Sequence, residues 1–214
     1  MRTTYPVNEI FETIQGEATF TGTPSIFIRM QGCPVGCAWC DTKHTWYMDN
    51  TDNTSVREKT VDSPSYEIFT SEQLLNELRN YTAKHIVITG GEPCLYNLKP
   101  ITTMLIKHGY SVQIETSGTH EIKCHADTWV TVSPKIGMKM PVIKSALDRA
   151  NEIKHPVGKQ KDIDNLLSLN LNNKKLIWLQ PLSLSKKATE LCMTTAIKRN
   201  WKLSVQTHKF IQIR

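Results

Sequence analysis

The chain has 214 residues, 39% of them hydrophobic, which is enough for one domain with a substantial buried core. No apolar run approaches membrane-spanning length and nothing near the start resembles a signal peptide, so no membrane partner is expected and a cytoplasmic location is. The net charge of +6 points to an anionic partner, but the lysines are scattered, with no dense basic arm and no aromatic-interleaved stripe; direct nucleic-acid binding is the weaker reading, and an anionic small substrate or an acidic electron-donor protein fits better.

Polar residues 1–9 lead into a strand-like pattern. A clear strand is predicted at 25–30 (SIFIRM), where alternation places Arg29 on the face of Phe27 and opposite Ile26 and Ile28. A loop bearing three cysteines follows. Residues 47–69, rich in Asp, Asn, Ser and Thr, then read as an irregular surface insertion where a first crossover helix would be expected. A helix is predicted over 72–81, opened by a capping box of Thr70 and Gln73. β-Branched runs predict strands at 85–89, 111–115, 128–132, 175–179 and 203–206, and helices are predicted over 100–108, 141–151 and 186–199. Alternating β and α elements imply a parallel sheet with right-handed crossovers, open or curled into a partial barrel, in a single domain spanning 1–214.

Most of these strands end in a polar or glycine-bearing segment: 89–93 (TGGEP), 115–118 (ETSG), 133–135 (SPK), 180–181 (QP) and 206–209 (QTHK). In parallel α/β architectures ligands bind at the carboxyl ends of the strands, so five such segments on one rim would line a single mouth.

The densest chemical signal is Cys33, Cys37 and Cys40 in the run GCPVGCAWCDTKH. All three thiolates can reach one inorganic centre from a single loop, and no fourth cysteine follows nearby. Three soft ligands and one open position suit a reactive cluster, whereas a closed four-thiolate site has no place for a substrate. Zinc held by these thiolates and His44 is the alternative, but such zinc sites usually pair two distant ligand hooks and no second hook is present. Cys94, Cys124 and Cys192 sit in or beside apolar patterns and are expected to be buried, reduced thiols. In TGGEP the two glycines let the backbone approach a ligand, and Glu92 offers an acceptor for a ligand ammonium.

The cysteine spacing, Trp39 just before the third cysteine and the later GGEP resemble the radical S-adenosylmethionine superfamily. Further segments narrow the resemblance: NEIFETIQG at 8–16, SIFIRMQGCPVGCAWCDTKHTW at 25–46, ITGGEPC at 88–94, IETSGTH at 114–120, TVSPK at 131–135, NEIKHPVG at 151–158, QPLS at 180–183 and QTHK at 206–209. Together they are similar to the 7-carboxy-7-deazaguanine synthase family of queuosine and deazapurine biosynthesis, leaving only 47–69 unmatched.

The resemblance implies a distorted, partial parallel β/α barrel of about six strands with few helices. It implies that Cys33, Cys37 and Cys40 hold a 4Fe-4S cluster whose remaining iron takes S-adenosylmethionine, with Trp39, Gly91, Ser133, Pro134, Lys135 and Gln180 around that cofactor. It places Thr42 at the family's Mg2+-ligand position, and Ile14, Gln15, Gly16, Arg29 and Thr89 around a carboxylated pterin, with Glu115 suggested for its amidine edge and His208 for closing the pocket. The implied reaction is a carbon–nitrogen lyase step, conversion of 6-carboxy-5,6,7,8-tetrahydropterin to 7-carboxy-7-deazaguanine with ring contraction and loss of ammonia. A flavodoxin-like electron donor and a homodimer are implied with it. Two rivals remain. A radical activase acting on a protein partner would share the cysteine loop but gives no reason for CDTKH or QTHK. A zinc-dependent RNA-binding module would account for charge and thiols but not for the strand-end series.

Overall fold

The computed structural model describes residues 3–48, 55–57, 59, 62–171, 174–182 and 185–213. Among them, nine strands form one sheet: β1 (Thr4–Ile14), β2 (Pro24–Met30), β3 (Glu67–Thr70), β4 (His85–Gly90), β5 (Ser111–Thr116), β6 (Trp129–Val132), β7 (Glu152–Val157), β8 (Leu176–Pro181) and β9 (Lys202–Leu203). Their order is β3-β1-β2-β4-β5-β6-β7-β8-β9. From β2 onward every neighbour is parallel, whereas β1 runs antiparallel to both β2 and β3. The sheet is an open, distorted barrel with β3 and β9 as its edges.

The helices are α1 (Ser71–Leu78), α2 (Lys99–Lys107), α3 (Lys144–Arg149), α4 (Gln160–Ser168), α5 (Lys186–Arg199) and α6 (Thr207–Ile211). Helix α1 opens with the expected capping box, Thr70 Oγ1 accepting from Gln73 N and Gln73 Oε1 accepting from Thr70 N.

Period-two alternation sorts each strand. Ile26, Ile28 and Met30 of β2, Ile86 and Ile88 of β4, and Val112 and Ile114 of β5 join α1 and α2 in one apolar cluster. Val130 and Val132 of β6, Ile153 and Val157 of β7, and Leu179 of β8 join α4 and α5 in a second, and Ile122 and Cys124 pack against both. The opposite face of these strands, toward the barrel interior, is polar: His85, Gln113, Thr131 and Glu152 are buried there and bond one another in series.

That polar interior explains the strand count. Three strands beyond the expected six are present. β7 reads EIKHPV, whose inner-face Glu152, Lys154 and Pro156 hide the apolar face carried by Ile153 and Val157. β1 carries Pro6, Asn8 and two glutamates, and β3 lies in what was expected to be insertion. Helices α4 and α6 were also unforeseen, and the helix expected over 141–151 is confined to Lys144–Arg149. Strand β9 is shorter than expected and shifted toward the N-terminus, so His208 and Lys209 lie in α6 rather than at a bare strand end. The 47–69 insertion falls partly outside the described residues. Those that are described are not all at the surface: Val56, Lys59, Ser65 and Phe69 are buried. Of the three scattered cysteines, Cys94 and Cys192 are buried and Cys124 is half-buried; no cysteine is in a disulfide.

Candidate functional site

At the carboxyl edge of the parallel strands lies a cavity of about 430 Å³. All five polar strand-end segments put residues on it: Thr89, Gly91 and Glu92; Glu115 and Ser117; Ser133 and Lys135; Gln180; and Gln206, His208 and Lys209. Cys33, Cys37 and Cys40 line the same cavity, together with Trp39 and Thr42.

The cysteine loop leaves the end of β2 and is tied back on itself. Gly32 N donates to Thr45 O at 2.7 Å and Cys33 N to Trp46 O at 3.1 Å. The buried Gln31 side chain donates to the carbonyls of His44 and Tyr47. Within the loop, Trp46 Nε1 donates to Cys40 Sγ at 3.4 Å and Thr42 Oγ1 stands 3.6 Å from the same sulfur. Hydrogen bonds to a ligating sulfur are one of the means by which proteins set the potential of an iron–sulfur centre. Trp46 is therefore a site residue to which the sequence reading assigned no role, although it ends the CDTKHTW run.

The TGGEP turn works differently from the sequence expectation. Gly91 N donates to Met30 O and Glu92 N to Gly32 O, so these amides are used against β2 and the cysteine loop rather than left for a ligand. A Cβ on Gly91 would collide with the Gly32 carbonyl and press on Cys33 Cβ, so a glycine is required for this turn to seat on the loop. Glu92 is fully buried, and four donors already occupy its carboxylate: Cys94 N and Thr116 Oγ1 on one oxygen, Ser117 N and Oγ on the other. It is a structural hub between β4 and β5 and not a free acceptor for a ligand ammonium.

The floor is made by the segment following β1, which crosses the barrel interior. Gly16 O accepts from Thr207 N, Ala18 N donates to Ser204 Oγ, and Thr19 Oγ1 donates to Glu152, linking the first strand to the last ones. Phe20 tilts against His85 and meets Trp129 edge-on beneath the cavity. Gly16 sits so close to the His208 ring that any side chain there would displace it. Glu17, on this segment, accepts from Gln206, Gln180 and Lys154, and Lys154 Nζ also donates to Glu115 Oε2 at 2.8 Å. Burial raises the cost of ionising Glu17, but the Lys154 ammonium and the Gln206 amide outweigh it and hold this carboxyl at about 2. Burial likewise opposes the Lys154 charge, and Glu115 and Glu17 overcome it and push that pKa up.

On the other side of the cavity Arg29 shares its face with Phe27, as alternation requires, while Ile26 and Ile28 are in the core. Arg29 Nε donates to Glu9 Oε1 at 2.6 Å and the guanidinium stands 5.6 Å from the Phe11 ring centroid. Ile14, Gln15, Gly16, Arg29, Thr89, Glu115 and His208 all line the cavity, as do Trp39, Gly91, Ser133, Lys135 and Gln180. Pro134 is buried and lies off it. Glu17, Lys154, Phe11 and Gln206 line it without having been singled out as site residues; Glu17 and Lys154 follow or fall within the matched segments IQG and EIKHPVG, but nothing local marks them.

The donor set fits an iron–sulfur cluster. Among the described residues no three His, Cys, Asp or Glu side chains converge on a point suited to one ion. A cluster instead spreads its thiolates over separate iron corners, which a loop ringing an opening can do. Burial pushes the Cys33 and Cys37 thiols up, with Lys135 pulling the second partly back, so thiolates there need a cationic centre to neutralise them. For a hard cation, the Thr42 hydroxyl on the cavity wall supplies a suitable oxygen, with room for waters or substrate oxygens.

Comparison with known proteins agrees with this chemistry. Residues 27–137 match the model of the Radical SAM superfamily. The chain is 54% identical over 220 residues to the 7-carboxy-7-deazaguanine synthase of Escherichia coli (strain K12), covering 98% of this chain and 99% of that one. It is 52% identical to the protein of that name from Buchnera aphidicola subsp. Schizaphis graminum, again over 98% and 99% of the two chains. The crystal structure of QueE from Escherichia coli superposes with a TM-score of 0.91 at 53% identity, covering 95% of this chain and 94% of that one. The chain belongs to the radical S-adenosylmethionine superfamily and, within it, to the 7-carboxy-7-deazaguanine synthase family.

Proposed function

We propose that this chain converts 6-carboxy-5,6,7,8-tetrahydropterin to 7-carboxy-7-deazaguanine with ring contraction and loss of ammonia. One observation carries the reading: three thiols suited to a cluster and a polar seat, with a guanidinium on β2 and a carboxylate on β5, open into one cavity. When bound at this loop, a 4Fe-4S cluster and S-adenosylmethionine would supply reversible hydrogen-atom-transfer chemistry toward the substrate.

The protein's part is binding, orientation and exclusion of water. Cys33, Cys37 and Cys40 hold the cluster, and Trp39, Gly91, Ser133, Lys135 and Gln180 surround the sulfonium cofactor. Pro134, between Ser133 and Lys135, fixes the backbone of that turn beside the cofactor. Arg29, steadied by Glu9, presents its remaining N–H groups to the substrate carboxylate. Glu115 accepts from the pterin's amidine edge, and Ile14, Gln15, Gly16, Thr89 and His208 complete the pocket. Thr42 Oγ1, with waters and substrate oxygens, supplies oxygen ligands for Mg2+, which would fix the substrate carboxylate. A flavodoxin-like donor suits a chain of net charge +6. Met193 and Ile197, one turn apart and exposed on α5, offer apolar surface that a second copy would cover in a homodimer. No helix among the described residues is long and apolar enough to cross a membrane, which accords with work in the cytoplasm.

The test is anaerobic turnover. Reconstituted protein given the carboxylated tetrahydropterin, S-adenosylmethionine, Mg2+ and a reductant should yield the deazaguanine by mass spectrometry. Thr42→Ala should bind iron normally yet respond less to added Mg2+. No deazaguanine from a fully reconstituted chain would defeat the reading.

A further inference from the structure

The interior of the barrel holds a cation with more partners than a surface ion pair needs. The Lys154 side chain is only 6% exposed and lies between Glu17 and Glu115, whose side chains are 13% and 17% exposed. Alternation along β7 puts Lys154 on the inner face, while Ile153 and Val157 fill the core behind it. Glu115 is the partner that meets the cavity. Its Oε2 accepts from Lys154 and its Oε1 from Gln15 Nε2 at 3.0 Å, so each oxygen keeps a free lone pair. Glu17 is held more heavily: one oxygen accepts from both Gln180 and Gln206 and the other from Lys154, donors from three other elements. The other titratable groups facing this trio are His208 of α6, Lys135 after β6 and His85 of β4.

The geometry points to Lys154 as a positioning residue: clamped against Glu17, its ammonium keeps the Glu115 carboxylate charged and fixed so that it accepts the paired N–H groups of a bound pterin's amidine edge. This rests on the reading that the cavity takes a carboxylated tetrahydropterin. The chemistry follows from charge. An amidine edge offers two parallel N–H donors, which match a carboxylate as a guanidinium does, but not a protonated carboxyl, which has one acceptor fewer and a proton in the way. Two buried carboxylates within reach of one ammonium leave a site that cannot stay doubly charged once the ammonium is removed; one of them takes up a proton. Glu17 sets where Lys154 can sit, because its own place is fixed by β8 and the turn into α6.

The experiment measures pterin affinity as a function of pH in cluster-loaded protein, with the visible cluster absorbance as the check on folding. The wild-type affinity should be nearly flat between about pH 6 and pH 8.5, since the Lys154 ammonium balances the carboxylate pair. Lys154→Met should bind weakly at the acid end, losing about tenfold per pH unit below the point where the carboxyl pair takes up its proton, and should recover as pH rises. The double variant Lys154→Met/Glu17→Gln removes one negative charge together with the cation, so it should regain most of the affinity and flatten the profile. Lys154→Arg, which keeps the cation, should also remain flat. A flat profile with unchanged affinity in Lys154→Met would overturn the assignment. So would a loss that is equal at every pH, or one the double variant does not relieve, because a merely structural lysine would behave that way. Should Lys154→Met fail to load its cluster, the double variant decides alone: pterin affinity near wild type supports the assignment, and strong loss overturns it. Failure of the wild type to make a deazaguanine would defeat the proposed reaction instead, and that result is read in a separate assay.

Discussion

Each oxygen of the Glu92 carboxylate accepts two hydrogen bonds, and the four donors come from the turn after β4, the last residue of β5 and the residue that follows it. Glutamine at this position would aim an amide N–H₂ at one of those donor pairs, leaving at least one buried donor unsatisfied. An unsatisfied buried group of this kind costs roughly 1–3 kcal/mol. Glu92→Gln should therefore lower the urea-unfolding free energy of the cluster-free chain by about that much. If the residue served mainly to hold a ligand ammonium, the ligand-free chain would keep its full stability. The contrast with the cysteines shows what single residues reveal. Three thiols in eight positions declare their chemistry by spacing, and Arg29 declares its face by alternation. Glu17 and Lys154 declare nothing, because they are 137 positions apart and each looks like an ordinary surface charge until the barrel brings them together.

At the scale of elements, the same polar interior that makes the site also conceals its scaffold. A parallel strand buried on both faces usually reads as an unbroken apolar run. Here one face of β7 carries Glu152, Lys154 and Pro156, so no such run exists. Local signals survive this: the α1 capping box and the span of α5, Lys186–Arg199, were legible because their determinants lie within a few residues. Signals that depend on a distant partner do not, which is why α6 and the closing role of the segment after β1 went unseen. The junction of β2, β4 and the cysteine loop allows a direct check. With Gly91→Ala, the new methyl meets the Gly32 carbonyl and Cys33, while the rest of the sheet is untouched. The variant should keep wild-type far-ultraviolet circular dichroism but bind clearly less iron per chain after anaerobic reconstitution. Full iron loading would show that the turn need not seat on the loop.

For the molecule as a whole, buried titratable groups make stability depend on pH, and the sign can be worked out for each. His155 lies on the core side of β7, with Nε2 at 2.9 Å from Asp162 O and a buried Nδ1 that has no hydrogen-bond partner among the described residues. Burial, aided by the charge of Lys135, lowers its pKa to about 4 from 6.5, despite the Asp162 contact. Between those values the unfolded chain binds a proton that the folded chain refuses, so stability falls as pH drops from 6.5 toward 4. The full slope for one such group is about 1.4 kcal/mol per pH unit. Glu17 acts in a lower window. Its carboxyl titrates at about 2 when folded against 4.5 as a free side chain, so its contribution is complete above 4.5 and is lost as pH falls through 2. The two windows adjoin, and wild-type protein should lose stability continuously from near neutrality into strong acid. Urea-unfolding curves at pH 7.5, 5.5 and 4 separate the contributions. His155→Leu should be less stable at pH 7.5, having lost its bond to the Asp162 carbonyl, yet much flatter between pH 6.5 and 4. Parallel curves for variant and wild type across that interval would mean that some other group, and not His155, governs the acid limb.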